Sequence, residues 1–400
     1  MRLGDCGKTN LHTYSDKEKW SLIRYLDTGS ITEGRIDEIQ TLYPGVDKIP
    51  SRARRKASVG DILFSTVRPN QKHYGIIEAG TENLLVSTGF TVVTVDTTIA
   101  DPYFIYYYLT QSSVIESLQA IAEQSTSTYP SIKPSDIEDI ELDLPELETQ
   151  KKIGSTLRML DRKIALNEEI NDNLEQQAQS YFQELFVDNA DPEWTTGTIS
   201  DLGTVVGGST PSKAKPEYYT ESGIAWITPK DLSNNKSKFV SHGENDITEL
   251  GLRNSSASIM PEGTVLFSSR APIGYIAIAA GEVTTNQGFK SVVPKPEIGT
   301  PFVYFFLKNT LPVIEGMASG STFKEVSGST MKNVPAVIPD AETLAKFSDF
   351  CAPIFAQQRI LEEQNQSLAT LRDNLLPKLM SGEIDVSAVQ LYAAKLSFTV

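Results

Sequence analysis

Cysteine and histidine are scarce in this 400-residue chain, and their scarcity removes several kinds of chemistry at once. The only two cysteines, Cys6 and Cys351, stand far apart and form neither a disulfide framework nor a metal or redox motif. The three histidines, His12, His73 and His242, are isolated, which suggests neither a catalytic triad nor metal ligation. No apolar run approaches the roughly 20 residues that span a bilayer, so no membrane association is expected. The first dozen residues have no apolar stretch of the secretory kind, and a cytoplasmic location is expected. Gly4-Asp5-Cys6-Gly7-Lys8-Thr9 imitates a phosphate-binding loop, but Arg2 stands where its first glycine belongs and no strand precedes it. No Gly-x-Gly-x-x-Gly turn follows a strand either. Binding, without catalysis and without a cofactor in this chain, is the expectation.

What the chain has in quantity is acid, and the acid is local. The net charge is −15. Residues 135–193 hold 16 acids against 5 bases, and residues 340–385 hold 8 against 4. The remainder is balanced, with 27 of each. The charge therefore describes two segments and does not exclude a polyanionic partner for the rest. Lys48, Arg52, Arg54, Arg55 and Lys56 even form a basic cluster with no acid from residue 48 to residue 60.

The chain also repeats itself. Gly60-Asp61-Ile62-Leu63-Phe64-Ser65-Thr66 reads like Gly263-Thr264-Val265-Leu266-Phe267-Ser268-Ser269, an offset of 203. Thr88-Gly89-Phe90 matches Gln287-Gly288-Phe289, and Phe104-Ile105-Tyr106-Tyr107-Tyr108-Leu109 matches Phe302-Val303-Tyr304-Phe305-Phe306-Leu307. Ser125-Thr126 matches Ser321-Thr322, and Leu144-Pro145 matches Ile338-Pro339 at an offset of 194. An offset that drifts and then holds steady means loops of differing length followed by a fixed scaffold. Self-similarity over nearly 200 residues is a domain duplication. Within each unit the first ~130 residues alternate short β-type runs with turn signals. One aromatic-rich helix per unit is predicted, at 102–118 and 301–315, with its stripe packed into the core.

The end of each unit differs in kind. Ile153, Leu157, Leu160, Ile164, Leu174, Ala178, Tyr181 and Leu185 recur at heptad spacing, with Asn167 and Asn171 in the gap. The second copy offers Ile354, Gln358, Leu361, Asn365, Leu368, Arg372, Leu375 and Leu379. One long helix per copy is predicted, the two packed as an antiparallel coiled coil, the alternative being that each lies across its own domain. Asn171 and Asn365 occupy equivalent seam positions, where an asparagine costs stability but sets register. The fold expected is α+β: two tandem β-rich domains, each followed by a long helix. The segments are 1–145, 146–190, 191–339 and 340–386, with 387–400 an extension of unassigned role.

Several short stretches then carry a family resemblance. They are Leu144-Pro145-Glu146-Leu147-Glu148-Thr149-Gln150-Lys151-Lys152-Ile153, and Leu375-Leu376-Pro377-Lys378-Leu379-Met380-Ser381-Gly382-Glu383-Ile384. In the second β-rich domain they are Gly207-Gly208-Ser209-Thr210-Pro211-Ser212, Ile224-Ala225-Trp226-Ile227 and Asn286-Gln287-Gly288. With the duplication, these make the chain from about residue 20 to 386 resemble the specificity subunit of Type I DNA restriction–modification enzymes. The second junction, Pro339-Asp340-Ala341-Glu342-Thr343-Leu344, departs from the first in lacking its glutamine.

The resemblance implies a non-catalytic subunit whose two target recognition domains each read half of a split sequence in double-stranded DNA. It implies two methyltransferase subunits, which bind S-adenosylmethionine and methylate adenine, on the helices. Motor and nuclease subunits, using ATP and magnesium, would join for restriction. The candidate DNA contacts in the first domain are the loop bases Arg52, Arg54, Arg55 and Lys56, suited to phosphates, and Arg68, Asn70 and Lys72, suited to base edges. In the second they are Lys213, Lys215, Lys230, Asn234, Asn235, Lys236, Arg270 and Lys324. The Ser-Thr pairs are read as turn or capping residues. A rival reading is a non-catalytic scaffold with two homologous protein-binding domains, motivated by the acid and the helices.

Overall fold

In a computed structural model, residues 1–125, 129–320 and 324–386 are described. Thr126, Ser321, Thr322 and the extension 387–400 lie outside them. The chain divides into two compact units: Met1–Ile164 with the chain from Ser367 on, and Ala165–Gln366. The division cuts both long helices, Leu147–Gln183 and Ala341–Met380, so each unit holds one β-rich domain and a stretch of each helix. Tandem β-rich domains, each followed by a long helix, are what the heptads and the repeat predict.

In the first unit an antiparallel sheet runs in the order Gly7–Thr9, Phe90–Val95, Ile62–Ser65, Tyr74–Ile76. Its two central strands, Phe90–Val95 and Ile62–Ser65, are buried on both faces, because successive side chains point to opposite sides and each side meets a core. Ile62, Phe64, Val93 and Val95 face one cluster with Phe104 and Leu157; Leu63, Phe90 and Val92 face another with Leu26 and Val86. A second sheet, Gln40–Leu42, Ile23–Leu26, Leu84–Ser87, Ala53–Lys56, contains a parallel pair between its two central strands.

The second unit repeats this plan. Gly203–Gly207, Lys290–Pro294, Val265–Ser269 and Ile273–Ala279 form the matching antiparallel sheet, extended by Phe239–Val240. The same alternation sends Val265, Phe267 and Val292 to one core and Leu266, Ala277 and Phe289 to the other. Trp226–Ile227 runs parallel to Thr284–Thr285, as Ile23–Leu26 does to Leu84–Ser87.

The aromatic helices differ between copies. The second is continuous over Thr300–Gly316, but the first is not one helix over 102–118. It is Pro102–Thr110 and then Ser112–Glu123, broken where Gln111 adopts an extended conformation (φ −60°, ψ 138°). The restart re-aims the chain so that Ile115, Leu118 and Ala122 also reach the core. The aromatic stripe itself is packed inside, as expected of a core face: Phe104, Tyr106, Tyr107, Phe302, Tyr304 and Phe305 are all buried.

Within each unit the two helix stretches run antiparallel. In the first, Ile153 and Leu157 share a core with Leu376 and Leu379, and Arg372 Nη1 meets Asp161 Oδ1 at 2.7 Å. In the second, Asn167 Nδ2 donates to Asn365 Oδ1 at 2.8 Å, and Gln358 Nε2 to the Asn171 carbonyl at 3.1 Å. The asparagine that meets Asn365 is therefore Asn167, not Asn171, which serves the seam through its main chain. The other seam residues, Leu160, Ile164, Leu174, Leu185, Ile354, Leu361, Leu368 and Leu375, are buried or half-buried.

Each unit ties its helix pair to its own sheet domain by a polar network. In the first, Tyr107 donates its hydroxyl to Asp161 Oδ2 at 2.5 Å while Arg372 holds Oδ1. In the second, Glu175 on the first helix pairs with Lys238 and Lys308, and Tyr304 donates to its Oε1 at 3.2 Å. Glu362 on the second helix accepts from the main-chain N–H groups of Lys238 and Phe239 at 2.8 and 3.0 Å. Burial raises the Glu362 carboxyl and lowers the Lys238 ammonium. Burial also opposes ionisation of Glu175, but its two lysines outweigh that and bring it below its ordinary value.

Candidate nucleic-acid interface

Three of the candidate cations in the first domain, Arg54, Arg55 and Lys56, are on a strand and not, as the sequence reading has it, on a loop; Arg52 lies in the turn before it. Ala53–Lys56 pairs antiparallel with Leu84–Ser87, with an irregularity between Ala53 and Arg55. The pairing carries the basic run to the tip of the partner strand, the turn Ser87-Thr88-Gly89. The Arg52 carbonyl accepts the Thr88 N–H at 2.9 Å, and Arg55 Nη2 reaches the Thr88 carbonyl at 3.5 Å. Arg55 is half-buried, and burial lowers its guanidinium from the usual value. Lys56 is committed elsewhere, to Glu18 at 2.5 Å and over the Trp20 ring at 5.2 Å. Arg54 is half-buried.

The segment after Ile62–Ser65 reaches the same turn. Thr66 donates to the Gly89 carbonyl twice, from its N–H at 2.8 Å and its hydroxyl at 2.9 Å. Arg68, exposed and in the left-handed region (φ 48°), lays its guanidinium over Tyr129 at 5.1 Å. Asn70, also exposed, is held through its N–H by Gln119. Lys72 is paired with Glu33 at 2.5 Å, which lowers its availability to an anion.

In the second domain the corresponding turn is Asn286-Gln287-Gly288. Ser269 bonds the Gly288 carbonyl from its N–H at 2.7 Å and its hydroxyl at 3.0 Å, as Thr66 does in the first. Thr210 donates to Gln287 Oε1, which brings in the Gly207-Gly208-Ser209-Thr210 stretch. Gly208 has to be glycine, because a Cβ there would lie 1.9 Å from the Asn286 carbonyl oxygen. Arg270 and Lys290 share Glu325 at 3.4 and 3.8 Å, and the exposed Lys324 stands beside that acid in the chain.

The other candidates are not joined to this turn by any hydrogen bond or ion pair among the described residues. Lys215 pairs with Glu217 at 3.6 Å and Lys230 with Glu244 at 2.6 Å, an interaction that raises the Lys230 ammonium. Lys230 and Asn234 lie on the short helix Pro229–Asn234, and the Asn235 side chain accepts the Ser237 N–H at 3.0 Å. Lys213 and Lys236 are exposed. Sequence reasoning missed Thr88, Gln287, Lys290 and Thr210. The first two sit inside the repeated Thr88-Gly89-Phe90 and Gln287-Gly288-Phe289 triplets, and Gln287 and Thr210 also sit inside stretches that carry the family resemblance, so the duplication and those stretches were the available signals. Among the described residues no group of three His, Cys, Asp or Glu is placed to hold a metal ion, and no helix is long and apolar enough to cross a membrane.

Two copies of one polar turn, each met by cations and each on the same double-cored sheet, are the frame against which relatives can be compared. The family pattern described as the Type I restriction modification DNA specificity domain matches residues 53–176 and again 192–371. The chain belongs to that family. As a specificity subunit it is a DNA-recognition component, not a catalytic one, and it assembles with other subunits of a restriction–modification system. The HindI specificity subunit of Haemophilus influenzae is 25% identical over 457 residues, covering 96% of this chain and 98% of that one. The MjaIX specificity subunit of Methanocaldococcus jannaschii is 39% identical over 194 residues, 46% of this chain and 45% of its own length. The solved Type I S subunit from M. genitalium shares the fold, with a TM-score of 0.57 and 17% identity over 95% of both chains. The match of one family pattern to two segments of this specificity subunit is the duplication seen in its sequence.

Proposed function

We propose that each β-rich domain of this specificity subunit reads one half of a bipartite target in double-stranded DNA, with unread base pairs between. The observation that carries this reading is the duplicated turn. One glycine-centred framework, with the same bonds to Gly89 and to Gly288, is presented twice with different residues around it. A homodimer presents identical readers and is confined to palindromes, whereas two diverged copies in one chain can read two different half-sites.

The helices supply the spacing and the docking. They are 37 and 40 residues long without interruption, and 37 residues span about 55 Å at 1.5 Å per residue. Their outward acids, including Glu169, Asp172, Asp349 and Asp373, are exposed and suit protein partners better than a polyanion. Two methyltransferase subunits dock there and bring S-adenosylmethionine for adenine methylation. Motor and nuclease subunits bring ATP and magnesium when the complex restricts, in the cytoplasm. Mobility shifts of the chain with its modification subunit test the reading. One bipartite duplex retained against excess random duplex is the expected result, and equal retention of every duplex contradicts it in favour of a protein-binding scaffold.

A further inference from the structure

The two readers keep one cation in the same place although they draw it from different strands. In the first, Arg55 Nη2 donates to the Thr88 carbonyl at 3.5 Å; in the second, Lys290 Nζ donates to the Gln287 carbonyl at 3.3 Å. Thr88 and Gln287 correspond, but Arg55 and Lys290 do not. Arg55 belongs to Ala53–Lys56, whereas Lys290 opens Lys290–Pro294, where the first copy has Thr91.

The bonds that hold the glycine of each turn are also duplicated. The Ser87 hydroxyl accepts the Gly89 N–H at 3.3 Å, and the Asn286 side chain accepts the Gly288 N–H at 2.8 Å. Thr66 and Ser269 make the same two bonds to the glycine carbonyl, and each offers its own carbonyl to a later segment, through Ile132 and Val326. A Cβ on Gly89 or Gly288 would come within 2.8 or 2.9 Å of Thr28 or Pro229. The result is a rigid tip on which the middle residue, Thr88 or Gln287, is exposed while its neighbours are not.

The cations are incompletely matched. Arg55 Nε is buried with no hydrogen-bond partner, and Arg55 pairs with no carboxylate among the described residues. Lys290, with 15% of its side chain exposed, reaches the Gln287 carbonyl and the Ser269 hydroxyl at 3.3 and 3.4 Å, but its one carboxylate, Glu325, is 3.8 Å away and shared with Arg270. Burial lowers both groups from their usual values. An anion seated at the tip would supply the counter-charge that Arg55 has from no carboxylate among the described residues and that Lys290 shares with Arg270.

A device that is the same in both copies cannot distinguish two half-sites that differ. We propose that the turns Ser87-Thr88-Gly89 and Asn286-Gln287-Gly288, with Arg55 and Lys290, each seat one DNA backbone phosphate and fix the register of their reader without reading sequence. This rests on the half-site reading above and assigns these residues to its sequence-independent part.

The test uses the full chain assembled with its modification subunits, carrying Arg55→Gln or Lys290→Gln, and the charge-retaining Arg55→Lys and Lys290→Arg. Binding to target and random duplexes is measured across a salt series. Each Gln variant lowers the magnitude of the log K against log salt slope by about one and weakens both duplexes by the same factor. The charge-retaining variants keep the slope. A changed ratio between target and random duplex, or an unchanged slope and affinity, overturns the assignment. Should the unaltered complex bind all duplexes alike, the half-site reading fails while the slopes still decide the phosphate. Ethylation interference on the unaltered chain decides it without a variant: one blocking phosphate at the corresponding place in each half-site is expected, and none there overturns it.

Discussion

Glu175 is the residue on which the second unit's polar packing turns. Lys238 has 6% of its side chain exposed, rests 4.1 Å over Phe355 and donates to Gln358 at 2.6 Å, so its charge has little water to fall back on. Removing one partner of such a pair strands the other charge, which costs roughly 3–5 kcal/mol. Glu175→Gln is therefore expected to destabilise the chain by about 3 kcal/mol in urea unfolding, and an effect under about 0.5 kcal/mol would refute the role. Residues of this kind were not legible beforehand. Lys238 reads as one more base in a lysine-rich stretch, and only tertiary packing separates it from Lys236 two positions earlier, which is exposed. The same limit applied to the candidate DNA contacts. Charge alone ranked Lys56, Lys72 and Lys230 equally with Arg55, but each of the three is held by a nearby acid.

At the scale of elements, the helices were the most legible part, because a heptad seam is written in side-chain type at fixed spacing. What spacing could not show was which seam asparagine meets which. Asn167 is buried, and its Oδ1 has no partner among the described residues even while its Nδ2 holds Asn365. The double change Asn167→Leu/Asn365→Leu is expected to raise stability by about 1–2 kcal/mol while loosening the unique helix register. Denaturant midpoints and disulfide trapping between engineered cysteine pairs along the seam check both parts; a destabilised pair with a single trapped register would contradict them. Asn167→Ala alone removes the bond to Asn365 Oδ1 and is expected to cost about 1 kcal/mol. The break at Gln111 was invisible in sequence for a related reason. Residues 102–118 carry helix-compatible apolar spacing throughout, and the extended Gln111 is imposed by the core that Ile115 and Leu118 must reach.

At the scale of the whole molecule, the duplication was read from a few short matched segments, and the sheets, parallel pairs and turn hydrogen bonds repeat in or beside them. Loops were not readable, because their length differs between copies and their conformation follows long-range partners. That division matches the proposed labour: a shared frame for the backbone, and differing surroundings for bases. Methylome sequencing of a host carrying this chain with its modification subunit tests the central claim most directly. The account predicts one motif made of two different half-sites separated by a fixed number of unread base pairs, with a methylated adenine in each. A continuous motif, or methylation with no second half-site, would contradict it.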